Sequence, residues 1–155
     1  MPVYVRDAAV KYARKWALSR NKNFADFENM GGDCTNFVSQ CLFAGTGRMD
    51  YTPEVGWYYN SLSDRAAAWS GVEYLFKFLT EENSDILRGS EVEAFSQLLP
   101  SDVIQMSFDG ENFTHSLFVT GIKRGQILVC THSYNSFDRP LSSYSYKKAR
   151  GIHIM

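Results

Sequence analysis

The stretch Gly31-Gly32-Asp33-Cys34-Thr35-Asn36-Phe37-Val38-Ser39-Gln40-Cys41-Leu42 constrains this chain more than any other. Cys34, Phe37, Val38, Cys41 and Leu42 recur at i, i+3, i+4, i+7 and i+8, the stripe of a helix that buries one face. Two glycines and Asp33 precede the stripe, with Asp33 where an N-cap belongs. Cys34 therefore falls in the first turn, on the buried side. A helix N-terminus carries partial positive charge and favours a thiolate, the competent nucleophile, over a thiol. The competing reading is a space-filling thiol, since free cysteine is among the most buried residue types. Cys41, two turns further on, and Cys130, inside a strand-like apolar run, read as core thiols.

Periodicity changes along the chain. Ala9, Tyr12, Ala13, Trp16 and Ala17 share one face of a helix over residues 3–20, and Arg6, Lys11, Arg14 and Lys15 share the other. The Cys34 helix runs to Ala44 and stops at Gly45-Thr46-Gly47. Val72, Leu75, Phe76 and Leu79 mark a third helix over residues 69–82. Residues 48–63 read as irregular, and 83–99 as a short helix or an insertion. The aromatic cluster Trp57-Tyr58-Tyr59 either walls a substrate groove or packs its loop onto the core. The last third turns to β-branched and aromatic runs at 103–108, 116–122, 127–131 and 151–155, with a hairpin turn at Lys123-Arg124-Gly125. Helices first and antiparallel strands after predict a single α+β domain over residues 1–155.

Composition excludes several functions. Lys and Arg number 16 against 17 Asp and Glu, so no basic surplus points to nucleic acid. No apolar run approaches the ~18 residues of a membrane span. The three cysteines form neither a disulfide framework nor paired zinc ligands, and no His-Glu-x-x-His motif occurs. No cofactor is expected. The chain opens without a basic segment followed by an apolar run, so no signal peptide is read. That leaves open a cytoplasmic protein or a trimmed domain of an exported one.

A cysteine nucleophile needs a base within reach and a group to orient that base. His115 opens the run Ser116-Leu117-Phe118-Val119-Thr120 and is the candidate base. His132 ends the next strand and returns to the same end of the hairpin. A two-residue loop or a bulge would put His132 beside His115. A three-residue loop would instead give His115 the face of Thr131, Ser133 and Asn135, making Asn135 the rival orienter. His153 has no such partner and reads as structural.

These residues resemble the Putative amidase domain family of bacteria, a branch of the papain-like group that includes CHAP and NlpC-type cell-wall hydrolases. The resemblance rests on the Gly31–Gln40 block, Tyr12-Ala13-Arg14-Lys15-Trp16-Ala17, Trp57-Tyr58, Ser101-Asp102-Val103-Ile104-Gln105, His115–Thr120, and His132 with Arg139-Pro140-Leu141-Ser142. It spans nearly the whole chain. One departure is Ser101, where the family often has Gly. The resemblance implies a papain-like fold, Cys34 as nucleophile, His115 as base and a polar orienter that maps best onto His132. It implies thioester-mediated amide hydrolysis of a peptide or peptidoglycan-like substrate, by a monomer. The Cys34 backbone N–H is the natural oxyanion donor, and Asn29, Thr35 and Asn36 are candidates for the second. A non-catalytic peptide- or glycan-binding module and an acyltransferase on the same scaffold are the alternatives.

Overall fold

Gly47 ends the helix that starts at Cys34. It adopts φ +70°, and its N–H donates to the Phe43 carbonyl, the left-handed stop that glycine makes without a steric cost. The helix, α2, covers Cys34–Thr46. It is nearly all buried because both faces are covered: α1 (Arg6–Trp16) packs on one side and the sheet on the other. The computed structural model describes residues 3–155. Among these no helix is long and apolar enough to cross a membrane.

Helix α1 is shorter than the amphipathic pattern over residues 3–20, and the third helix is two pieces. Ala67–Ser70 forms α3 and Val72–Glu81 forms α4, broken at Gly71, whose backbone is extended at φ −108°, ψ 127°. A small hairpin of β1 (Tyr59–Ser61) and β2 (Asp64–Arg65) precedes them. The ambiguous segment 83–99 supplies strand β3 (Gly89–Val92). The strands β4 (Val103–Ser107), β5 (His115–Lys123) and β6 (Gln126–Thr131) match the sequence pattern closely, and β8 (Lys148–Ile154) begins three residues before the expected 151–155. Strand β7 (Ser136–Pro140) was not legible from it. The six long strands form one antiparallel sheet in the order β3-β8-β4-β5-β6-β7, so the molecule is α+β.

The sheet carries a core on each face. Phe118, Cys130, Ile152 and Ile154 meet the helices, packing with Phe37, Val38, Cys41, Leu42, Trp57 and Trp69. Leu117, Val119 and Val129 point the other way, into a smaller cluster closed by Leu98 and Leu141. Cys41 and Cys130 are fully buried core thiols. Trp57 is also fully buried and donates its indole N–H to Ser39 Oγ at 3.0 Å, so it is a core anchor and no substrate wall.

Asp102 ties the two chain ends to β4. Its carboxylate accepts from Arg6 Nη1 at 2.9 Å, the Ile154 N–H at 2.9 Å and the Leu99 N–H at 2.8 Å, and pairs with His153 Nδ1 at 2.9 Å. His153 is thus a structural residue with a partner. Ser101 sits at φ +77°, a conformation that costs a residue with a side chain roughly 1–3 kcal/mol and glycine little. Here the Ser101 hydroxyl accepts from Arg6 Nη1 at 2.9 Å.

Candidate active site

The hairpin of β5 and β6 decides which histidine stands where. Its turn is two residues, Arg124 and Gly125, both left-handed at φ +53° and +77°, the geometry that suits strand twist. A one-residue bulge between Val119 and Gly121 then shifts the register back. Beyond it Phe118 pairs with Cys130, and continuing this register sets Ser116 against His132 and His115 against Ser133. His132 therefore faces the helices and His115 faces away from them, at the rim of the sheet. Turn and bulge cancel, which corrects the expectation that either one would bring the two imidazoles together.

His132 finds its partner at the start of α2. Its Nδ1 lies 2.5 Å from Asp33 Oδ2, its Nε2 lies 2.8 Å from the Trp16 carbonyl, and its ring stacks on Phe37 at 4.1 Å. Asp33 is correspondingly no side-chain cap. Its other oxygen accepts from the Phe27 N–H and from Asn36 Nδ2, both at 2.8 Å. Burial raises the Asp33 carboxyl, but the bonds from His132, Asn36 and Phe27 outweigh it and hold the group below the usual carboxylate range. Arg20 Nε lies 3.4 Å from Asp33 Oδ2. This buried cluster fixes the turn before Cys34. Gly31 and Gly32 make that turn at φ +99° and +105°, and a Cβ on Gly32 would stand 3.1 Å from Ser133 Oγ. That hydroxyl accepts the Asp33 N–H at 3.0 Å.

Cys34 and His115 line one cavity of about 500 Å³, with Glu28, Thr114, Tyr134 and Arg139 among its other walls. The backbone N–H of Ser116, the residue next to His115, lies close enough to the Cys34 sulfur to favour its thiolate. A buried polar chain holds this junction. Thr35 Oγ1 is 3.8 Å from the sulfur and 2.9 Å from Ser116 Oγ. Gln105 Nε2 donates to Ser116 Oγ at 3.3 Å, and Gln105 Oε1 accepts from Arg150 Nη2 at 2.7 Å. Arg150 in turn pairs with Glu73 at 3.0 Å. No periodic pattern in the sequence announces this chain, because its members come from five elements.

Burial governs both ionisable groups. It pushes the Cys34 thiol up, and the bonds from Ser116 and Thr35 only partly offset it. It lowers His115 to about 4, with the Arg139 charge acting in the same direction. Thiol and imidazole therefore stand neutral near neutral pH, in contrast to the thiolate expected from the helix terminus alone. Among the described residues nothing hydrogen-bonds the His115 ring, and Phe108 and Tyr144 flank it at centroid distances of 6.1 and 6.4 Å. Asn135, the rival orienter, is exposed and accepts from Arg20 Nη2 at 3.2 Å. Asn36 and Thr35 are committed to buried bonds, and Asn29 does not line the cavity.

The lowered His115 makes stability depend on pH. The unfolded chain takes up the imidazole proton near pH 6.5, the folded one only near 4. Stability from this group is complete above the unfolded value and declines as pH falls from 6.5 toward 4, by about 3 kcal/mol in all. Urea unfolding across that window should show a shallower slope for His115→Phe than for the natural protein. Equal slopes would contradict the burial of the ring.

Residues 3–155 match the family model described as Putative amidase domain. The chain belongs to this family. Over 137 residues this amidase domain is 33% identical to the uncharacterized protein YhbB of Bacillus subtilis strain 168, covering 86% of the chain and 42% of the relative. A stretch of 47 residues is 55% identical to the uncharacterized protein YjcM of the same organism, covering 30% of the chain and 10% of that relative. The amidase domain thus spans less than half the length of these curated relatives. No solved structure matches it.

Proposed function

We propose that this amidase domain hydrolyses an amide bond by cysteine-dependent acyl transfer on a papain-like scaffold. The observation that carries the reading is the shared cavity, in which the Cys34 thiol meets the rim of the strand that begins with His115. His115 takes the thiol proton as the sulfur attacks the amide carbonyl. The oxyanion develops beside the Cys34 backbone N–H, which the diverted Asp33 side chain leaves uncapped. Collapse breaks the C–N bond, and His115 returns the proton to the departing amine. Water, deprotonated by His115, then cleaves the thioester and restores the thiol. A neutral pair suits this sequence, because the base is free to accept and the proton moves only when the electrophile is present.

A second cavity of about 480 Å³ shares Gly31, Gly32 and Thr114 with the first. Together they give a groove with room on both sides of the scissile bond, as a peptide or peptidoglycan-like chain requires. His132 serves here as a positioning residue, acting through Asp33 on the nucleophile's turn.

The test is alkylation by iodoacetamide with each cysteine resolved by mass spectrometry, alongside hydrolysis of a panel of blocked peptide amides. Cys34 should react while Cys41 and Cys130 stay unlabelled, and His115→Ala should slow Cys34 by about 100-fold. Alkylation indifferent to His115, with no amide turned over, would remove the assignment.

A further inference from the structure

Arg139 lies in β7 and lines the cavity that holds Cys34 and His115. Its guanidinium is immobilised. It stacks on the Tyr144 ring at 3.8 Å, Nε donates to Ser143 Oγ at 2.7 Å, and Nη2 donates to the Ser143 carbonyl at 3.1 Å. Among the described residues no carboxylate pairs with it and Nη1 has no hydrogen-bond partner. Glu28, the one carboxylate among the described residues lining this cavity, is instead 3.3 Å from Arg20 Nη2 and accepts from Ser133 Oγ at 3.4 Å. The cavity thus holds a fixed, half-buried cation without a counter-charge. A guanidinium cannot shed its proton, and its planar array of N–H groups matches a carboxylate.

We propose that the cavity takes an amide substrate bearing a carboxylate close to the scissile bond, held by Nη1 of Arg139. The scissile bond in this statement rests on the Cys34–His115 reading above. Binding also has a chemical consequence. The Arg139 charge is, after burial, the second cause that keeps His115 unprotonated. A carboxylate over Arg139 cancels that charge, so the imidazole gains affinity for the thiol proton when substrate is seated. A substrate lacking the anion loses both its anchor and this activation.

Iodoacetate and iodoacetamide test the cation directly. Each forms the same S–CH₂ bond and releases iodide, and they differ in charge. The ratio of their rates at Cys34, divided by the ratio at N-acetylcysteine, should be about ten at low salt and fall toward one in 1 M salt. Arg139→Gln should bring it to about one, and Arg139→Lys should keep part of it. Should Arg139→Gln fail to fold, the lysine variant and the salt dependence of the natural protein decide. Alkylation that depends on His115 but shows no preference for the anion overturns the Arg139 assignment and leaves the hydrolase reading standing. Alkylation indifferent to His115 overturns the hydrolase reading itself. Protection of Cys34 from iodoacetamide by N-acetylglycylglycine but not by its C-terminal amide assigns a chain-terminal carboxylate. Protection by N-acetylglutamic acid α-amide but not by N-acetylglutamine α-amide assigns a side-chain one.

Discussion

Asp33→Ala is expected to destabilise the fold by about 3–5 kcal/mol, the usual cost of stripping one partner from a buried charged pair. For a chain of this length that is a fall in Tm of roughly 10–15 °C. The size follows from what the carboxylate holds. His132 Nδ1 at 2.5 Å, Asn36 Nδ2 at 2.8 Å and the Phe27 N–H at 2.8 Å all lose their acceptor in a site closed to water. A further contribution is lost from Arg20, 3.4 Å away. Thermal melts and urea titrations measure the change. Pairing the variant with His132→Phe should recover about 1–3 kcal/mol relative to the sum of the single changes, because removing both groups leaves no orphaned polar ring. Additive losses would mean that the two side chains do not act as a pair. The pH sign is fixed as well. Asp33 is held below the usual carboxylate range, so its contribution is complete above the unfolded value and fades as pH drops through the folded one.

That cluster shows where reading the sequence stops. Local periodicity was enough for α2, because Phe37, Val38, Cys41 and Leu42 repeat at helical spacing and Gly47 ends the run at positive φ. It was enough for β4, β5 and β6, whose apolar residues are bounded by turn formers. It missed β7, which holds Asp138 at φ +45° and ends at Pro140, residues that deplete a strand pattern. It read one helix where Gly71 makes two. At the candidate site, the places of Cys34 and His115 at the starts of α2 and β5 were legible, because each marks the end of an element. Their environment was not. The pairing of Asp33 with His132 joins positions 99 apart, and it depends on a two-residue turn and a bulge whose effects on register cancel. Of the cavity's aromatic walls, Tyr134 and Tyr144 come from loops that carry no periodicity and Phe108 directly follows β4, whereas the conspicuous Trp57 is buried core. The helix terminus suggested a thiolate, but desolvation is the larger influence on this sulfur. A dipole worth up to ~2 kcal/mol in its best settings yields to burial that can move a pKa by several units.

Loss of Cys34 or His115 is expected to abolish turnover without comparable damage to the fold, and this separates chemistry from architecture. On any blocked peptide amide that the natural protein cleaves, Cys34→Ala should reduce kcat by about 10⁴–10⁶-fold, and His115→Ala by a similar factor. The double variant should be scarcely slower than either single one, because in the proposed mechanism nucleophile and base act as a unit. Cys34→Ser should be nearly as inactive as alanine, since a hydroxyl gives up its proton to a weakly basic imidazole far less readily than a thiol does. Melting temperatures should move in the opposite pattern to activity. Cys34→Ala removes a sulfur whose partners are weak, the Ser116 N–H and a Thr35 hydroxyl at 3.8 Å. His115→Ala removes a ring with no hydrogen bond among the described residues. Asp33→Ala, by contrast, should lower Tm most, and should slow the proposed reaction only through the position of the turn at Gly31 and Gly32. A Cys34→Ala protein that still hydrolyses the amide at more than a hundredth of the natural rate would take the nucleophile away from this residue. The cavity, the polar chain through Thr35, Ser116 and Gln105, and the unpaired Arg139 would then belong to a site that binds its amide without attacking it.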